Sequence, residues 1–262
     1  MIFSRRRIFP AVAALAATGA ASAQPVPPGG DDDDPPMPLK LVVLDMGGTL
    51  IADHGEVPQA MLGAFSRHGI TVTPQEFAAW RGASKREMVR HFVARENKNA
   101  GLAVPIYDDF TAHAMAAYEK VQPIAGAEAA LKELRGMGLA LATTTGFDRP
   151  LAGAILRRLG WEHYFAATIT SDDVAEGRPA PFMLFRAMEG ARVNDVREVM
   201  AVGDTVLDLE AADNAGLGAA IGVYSGAATE SRLREARNSG VLPSVASLPG
   251  LIKTGLPLSH CR

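Results

Sequence analysis

Leu39-Lys40-Leu41-Val42-Val43-Leu44-Asp45-Met46-Gly47-Gly48-Thr49 is the stretch on which the fold turns. Residues 39–44 form a short apolar run interrupted only by Lys40, and the run ends in Asp, Gly and Thr. That pattern suits a strand buried on both faces of a parallel sheet. Similar runs recur at 139–142, 167–170, 199–202 and 219–223, each after a helix-like segment such as 126–137 or 181–190. The alternation predicts an α/β fold, a doubly wound Rossmann-like parallel sheet. Residues 51–123 break it. They offer amphipathic helical stretches near 58–68, 74–80, 85–97 and 107–121 with no convincing strand among them, so a helical cap domain is expected after the first strand. The α/β core then comprises 39–50 and 124–255. No internal repeat is visible.

Of the 262 residues 48% are apolar, which excludes wholesale disorder. The single cysteine, Cys261, is penultimate, so a disulfide scaffold is excluded and a metal-ligand or nucleophile role is a poor fit. Twenty-six Lys and Arg against 29 Asp and Glu give no basic field that would attract nucleic acid. The charge is unevenly placed. Residues 1–23 carry three Arg and no acid, leaving 23 basic against 29 acidic residues, or −6, over the remainder. Arg5-Arg6-Arg7, an apolar stretch from Ile8 to Ala20 too short to span a bilayer, and Ala21-Ser22-Ala23 read as a signal peptide. The Arg6-Arg7-Ile8-Phe9 segment resembles a twin-arginine export signal, which implies a periplasmic protein, a transient encounter with export machinery and no stable membrane anchor. Translation from Met37 would instead give a cytoplasmic protein. Residues 24–38, with six Pro, two Gly and four consecutive Asp, read as a disordered linker.

Polar signatures close four of the strands, and in open α/β sheets ligands bind outside the carboxyl ends of the strands. After Asp45, Gly47 and Gly48 allow close backbone approach and leave amides free for an anion. Thr143, Thr144 and Thr145, before Gly146, offer hydroxyls and amides to phosphate oxygens. Gly177-Arg178-Pro179-Ala180-Pro181 holds in a rigid turn an arginine suited to clamp a phosphoryl group. Gly203-Asp204-Thr205-Val206-Leu207-Asp208 sets two carboxylates four residues apart, hard oxygen donors of the kind that suit Mg²⁺.

In this order and spacing, over residues 39 to about 250, the four motifs resemble the haloacid dehalogenase superfamily. The resemblance implies that Asp45 attacks phosphorus to form an aspartyl-phosphate. It implies Mg²⁺ held by Asp45, the Gly47 carbonyl and Asp204, with Asp208 supporting through water. One departure bears on the subclass. Phosphatases of the superfamily usually carry a second Asp two positions after the nucleophile, a general acid for the departing alkoxide, and that position here is Gly47. Losing a positioned acid typically costs ~10²–10⁴ in rate, so a carbon leaving group stabilised in another way fits better than an ordinary ester.

The cap supplies such a way. Ser84-Lys85-Arg86-Glu87 reads as a capping box that puts Lys85 in the first turn of a helix. There the helix dipole and Arg86 are expected to disfavour the ammonium form, and a neutral amine can form a Schiff base with a carbonyl. Gly82-Ala83-Ser84-Lys85, Gly47 in place of the acid, Arg178 in place of the more usual lysine and Thr145-Gly146-Phe147-Asp148-Arg149 together resemble the phosphonatase-like hydrolases. Two positions depart from that pattern: Arg81 stands where a methionine is usual and Met88 where a histidine is usual. His91 is too far round the helix to replace it, and Arg81 could bind a second anionic group such as a carboxylate. The implied function is Mg²⁺-dependent cleavage of the C–P bond of phosphonoacetaldehyde or a related small phosphonate through Lys85. The alternatives are an O–P phosphatase of phosphoglycolate or phosphosugar type in which Lys85 only binds substrate, and a non-catalytic phosphate-binding protein. The expected partner is a small phosphonate or phosphate, not nucleic acid, and a homodimer is admitted.

Overall fold

In the computed structural model the first strand, β1 (Leu41–Asp45), is buried along its whole length. Residues 38–96 and 98–255 are described; the leader at 1–23 and all but the last residue of the linker at 24–38 lie outside them. Burial on both faces requires helices on both sides of the sheet. After β1 come four helices, α1 (Glu56–Arg67), α2 (Pro74–Ala78), α3 (Lys85–Arg95) and α4 (Ala103–Ala117). Strands and helices then alternate as α5 (Ala127–Gly136), β2 (Ala140–Thr144), α6 (Arg149–Leu159), β3 (Ala167–Ile169) and α7 (Phe182–Ala191). The chain continues through β4 (Val199–Gly203), α8 (Val206–Asn214), β5 (Ala219–Val223), α9 (Glu230–Glu235), β6 (Gly240–Leu242) and α10 (Leu248–Lys253).

Among the described residues the six strands form one parallel sheet in the order β3-β2-β1-β4-β5-β6. The chain builds outward from β1 through β2 and β3, then crosses to β4 on the other side. This reversal opens a crevice beyond the carboxyl ends of β1 and β4, where such sheets bind ligands. Asp45 ends β1 and Asp204 follows β4. The expected doubly wound architecture is therefore present, with boundaries shifted by one or two residues at most strands. β6 was not anticipated: at three half-buried residues it is too short to show a period.

The alternation of side chains along β1 divides the core. Val42 and Leu44 face Leu131 of α5, Ile155 of α6 and Leu248 of α10, while Leu41 and Val43 face Leu184 of α7, Leu209 of α8 and Leu233 of α9. The helical insert packs on the first of these two layers. Its helices bury Phe65, Phe92 and Phe110 completely, and the Phe65 and Phe92 rings meet edge to face with centroids 5.3 Å apart. A two-pronged ion pair from Arg67 to Asp109, at 2.8 and 2.9 Å, ties α1 to α4.

α4 begins four residues earlier than its periodicity predicts. Pro105 stands in its first turn, where a missing N–H leaves no helical bond unmade. The insert leaves and rejoins the core through paired segments: the Ala52 N–H donates to the Gln122 carbonyl and the Ile124 N–H to the Leu50 carbonyl, both at 2.9 Å. Among the described residues no helix is long and apolar enough to cross a membrane.

Because Phe65 joins α1 to α3, Phe65→Ala should cost about 3–5 kcal/mol, the usual range for a truncated core phenylalanine. Equilibrium denaturation followed by far-ultraviolet circular dichroism measures it as a lower midpoint.

Candidate active site

Asp45, Asp204 and Asp208 converge beyond β1 and β4 and are all buried. Thr205 caps α8 through a reciprocal capping box. The Asp208 amide donates to the Thr205 hydroxyl at 3.4 Å, and the Asp208 Oδ2 accepts from the Thr205 hydroxyl at 2.5 Å and amide at 3.1 Å. The other oxygen of Asp208 receives Arg178 Nε at 3.0 Å, so both oxygens are engaged within the protein. Asp204 accepts the Ala227 N–H at 2.6 Å. Burial, then Asp45 and Asp208, push its carboxyl well above the usual carboxylate range. Burial also raises Asp45, to about 7, against the downward pull of Arg178.

Arg178 is the cation among these carboxylates. Its side chain is 4% exposed, with Nη1 2.7 Å from Asp45 Oδ1 and Nη2 donating to the Thr144 hydroxyl at 2.7 Å. The three threonines therefore separate. Thr144 is taken by Arg178, and Thr143 donates to the Leu44 carbonyl at 2.9 Å, tying β2 to β1. Thr145 alone of the three lines the cavity beside Asp45, its hydroxyl accepting from the Phe147 N–H at 3.2 Å.

The cap delivers Lys85 to the same cavity. Ser84 caps α3, accepting the Glu87 amide at 3.4 Å as expected, but Glu87 does not reach back to Ser84. It accepts instead from the Gly177 N–H at 2.9 Å, which docks the start of α3 on the turn that carries Arg178. The Lys85 N–H donates to the Gly146 carbonyl at 3.3 Å, and a Cβ on Gly146 would lie 2.6 Å from the Ala83 carbonyl oxygen, so a glycine is needed for this close approach.

Lys85 itself is 6% exposed, its Nζ donating to the Ala83 carbonyl at 3.0 Å. Burial lowers its ammonium to about 8; Asp45 opposes this and Arg178 adds to it. The expectation that Arg86 depresses Lys85 is not met. Arg86 turns outward, 3.0 Å from Asp172 and over the Tyr107 ring. Met88 is fully buried, and His91 is exposed and leans on Trp80, the rings tilted by 42° with centroids 4.7 Å apart.

The cavity lined by Asp45, Gly47, Arg81, Lys85, Thr145 and Arg178 encloses about 60 Å³, room for about four to six waters. That size suits a small substrate. The half-buried Arg81 makes no side-chain ion pair or hydrogen bond within the described residues. Asp53, Phe77, Tyr118 and Phe147 complete much of the wall and were not anticipated. They come from the cap junctions and from α2, or stand beside a motif, and tertiary packing rather than spacing brings them in.

Among the described residues no three His, Cys, Asp or Glu side chains form a ready metal-ligand set. The donors nonetheless fit Mg²⁺. Asp45 and Asp204 are both buried, and at Asp204, after burial itself, the neighbouring charges of Asp45 and Asp208 raise the carboxyl more than Arg178 lowers it. Gly48, at φ 79°, lets the backbone come so close to Asp204 that a Cβ there would fall 2.3 Å from its Oδ2. Hard oxygen donors with surplus charge are what Mg²⁺ requires.

The profile of the haloacid dehalogenase-like hydrolases matches residues 39–216. A phosphonoacetaldehyde hydrolase from Nitratidesulfovibrio vulgaris is 29% identical over 196 residues, covering 69% of this chain and 70% of its own. One from Bacillus cereus is 26% identical over 197 residues, covering 69% and 74%. Among solved structures, a phosphonoacetaldehyde hydrolase-like protein from Oleispira antarctica superposes with a TM-score of 0.74 at 23% identity, covering 84% of this chain and 93% of its own. A β-phosphoglucomutase from Clostridium difficile gives 0.72 at 15% identity, covering 82% and 96%. At these identities the two structures show a shared fold.

The amine of Lys85 should titrate through about pH 8, two units or so below an ordinary lysine. It is ammonium and unreactive below that pH and a free nucleophile above it. Competitive labelling with a small amine reagent, read by mass spectrometry, should show Lys85 gaining reactivity near pH 8.

Proposed function

The chain belongs to the haloacid dehalogenase-like hydrolases, and from that premise we propose that it cleaves the carbon–phosphorus bond of a small aldehyde-bearing phosphonate, most simply phosphonoacetaldehyde, to phosphate and acetaldehyde. The observation that carries this reading is a buried lysine, Lys85, in the same small cavity as the carboxylate of Asp45 and with an amine that loses its proton near pH 8. A phosphate ester without a carbonyl gives such an amine nothing to condense with.

In the proposed reaction the Lys85 lone pair adds to the aldehyde carbon, the carbonyl electron pair moves to oxygen, and that oxygen leaves as water, giving a protonated imine. Asp45 then forms a bond to phosphorus as the C–P bond breaks. The C–P electrons pass into the imine, which becomes a neutral enamine, so no acid is needed to protonate a leaving oxygen. Water hydrolyses the aspartyl-phosphate, and the enamine takes a proton at carbon and hydrolyses to acetaldehyde and free Lys85. Arg178, already on Asp45, offsets charge on the phosphoryl oxygens, and Thr145 and the Gly47 amide donate to them; the Gly48 amide, expected to be free for an anion, instead donates to the Ile51 carbonyl at 2.7 Å. Asp45, the Gly47 carbonyl and Asp204 would hold Mg²⁺, with Asp208 acting indirectly. When bound, Mg²⁺ supplies positive charge against the phosphoryl group and the nucleophile. Arg81, a guanidinium facing the cavity, favours substrates whose far end carries a second anionic group.

Phosphate release from a panel of phosphonates and phosphate esters, with Mg²⁺ and after its chelation, tests the reading. Phosphonoacetaldehyde or a carboxylated analogue should be the best substrate, and chelation should abolish turnover. Asp45→Asn should lower it by about 10⁴-fold or more, the scale seen when a covalent nucleophile is removed. Borohydride with substrate should leave a reduced adduct on Lys85. Full activity of Lys85→Ala with no adduct would sink the Schiff-base step and favour an O–P phosphatase.

A further inference from the structure

We propose that the Tyr118 hydroxyl is the hydrogen-bond donor for the substrate's carbonyl oxygen, which makes Tyr118 a further catalytic residue of the C–P reaction; this rests on the Lys85 reading above. Tyr118 follows α4 directly, at the point where the cap returns to the core, and is 4% exposed. Its hydroxyl oxygen is buried and has no hydrogen-bond partner among the described residues, an arrangement that folded proteins rarely leave without a reason. The ring is fixed edge to face on Phe147, with centroids 5.6 Å apart. Phe147 in turn reaches the nucleophile loop, its Cζ 3.9 Å from where a Cβ on Gly47 would stand.

Tyr118 lines the cavity that holds Asp45 and Lys85, and the charges acting on the phenol are the carboxylates of Asp53, Glu56 and Asp45. Burial, reinforced by those carboxylates, raises the phenol pKa, so it stays protonated and acts as a donor. The cavity has Arg178, Thr145 and the Gly47 amide for a phosphoryl group and the Lys85 amine for a carbonyl carbon, and of the three buried hydroxyls without a partner among the described residues, Thr49, Thr111 and Tyr118, only that of Tyr118 belongs to a residue lining it.

When the Lys85 lone pair forms the C–N bond, the C=O π electrons collect on oxygen, and the Tyr118 O–H donates to that oxygen without giving up its proton. One proton lost from nitrogen and a second taken from solvent water reach the same oxygen, which departs as water and leaves the protonated imine. A fixed donor aimed at developing negative charge is typically worth about 10²–10³ in rate.

Tyr118→Phe removes the oxygen and keeps the ring on Phe147. In the full-length protein the expected results are an unchanged or higher thermal midpoint, because an unpaired buried hydroxyl is lost, unchanged binding of inorganic phosphate, and borohydride trapping of phosphonoacetaldehyde on Lys85 slowed about 10²-fold. Wild-type trapping with an equal rate in Tyr118→Phe overturns the assignment and leaves the Schiff base standing. A thermal midpoint lowered by several degrees overturns it by showing a structural hydroxyl. Absence of any adduct in the wild-type protein overturns both this assignment and the Lys85 reading.

Discussion

The buried guanidinium of Arg178 is the interaction on which the site depends. It reaches Asp45 at 2.7 Å, Asp208 at 3.0 Å and Thr144 at 2.7 Å, and so binds together the ends of β1 and β2 and the start of α8. Its turn also receives the cap, through Gly177 and Glu87. Buried charges are stable only when paired, and removing one member of such a group leaves the rest uncompensated. Here Arg178, with Lys85 the other buried cation of the cavity, faces three acids, and at Asp204 the charges of Asp45 and Asp208 outweigh that of Arg178. Charge imbalance in a dry site is what a divalent cation or a phosphoryl transition state would act on, so the same feature that costs stability prepares the chemistry.

Desolvation acts on the opposed groups in opposite senses. Asp45 moves up to about 7 and Lys85 down to about 8, each toward its neutral form. In the proposed reaction the lysine uses its neutral form directly, as the nucleophile toward carbon. The aspartate needs its charge, which the nearby positive groups restore. Burying both groups therefore suits the mechanism only because Arg178 stays charged between them and because the donors fit a metal.

The core was legible from the sequence because a parallel sheet buried on both faces imprints continuous apolar runs, and because its ligand edge is built where those runs end. Asp45, Arg178, Asp204 and Asp208 could be placed together on that basis. What escaped were matters of side-chain direction. Thr143, Thr144 and Thr145 look alike in sequence, yet strand alternation and the position of Arg178 leave only Thr145 on the cavity. Glu87 has the capping-box spacing but finds the Gly177 amide instead. Arg86 sits next to Lys85 in the chain and yet points away, because successive helical residues are about 100° apart and Asp172 lies on its side. Asp53 and Tyr118 carry no motif at all. They reach the cavity because the cap leaves and rejoins the core at one place, a pairing of residues 52 and 122 that no local pattern encodes.

Gly47 shows how the missing acid should be read. Its backbone is not in the left-handed region, and a Cβ there would meet only Phe147, at 3.9 Å, an ordinary contact. Neither backbone conformation nor space at the first side-chain atom forces a glycine at this position, so packing does not explain why an acidic side chain is absent. The proposed chemistry does. Expelling an alkoxide needs a proton donor beside the leaving oxygen, whereas expelling an enamine needs an electron sink on carbon, which a lysine-derived imine supplies. The burden of polarisation then moves from the nucleophile loop to the cap, where Lys85 is buried. A small cavity of about 60 Å³ serves that division of labour, because the imine is hydrolysed if bulk water reaches it before the C–P bond has broken.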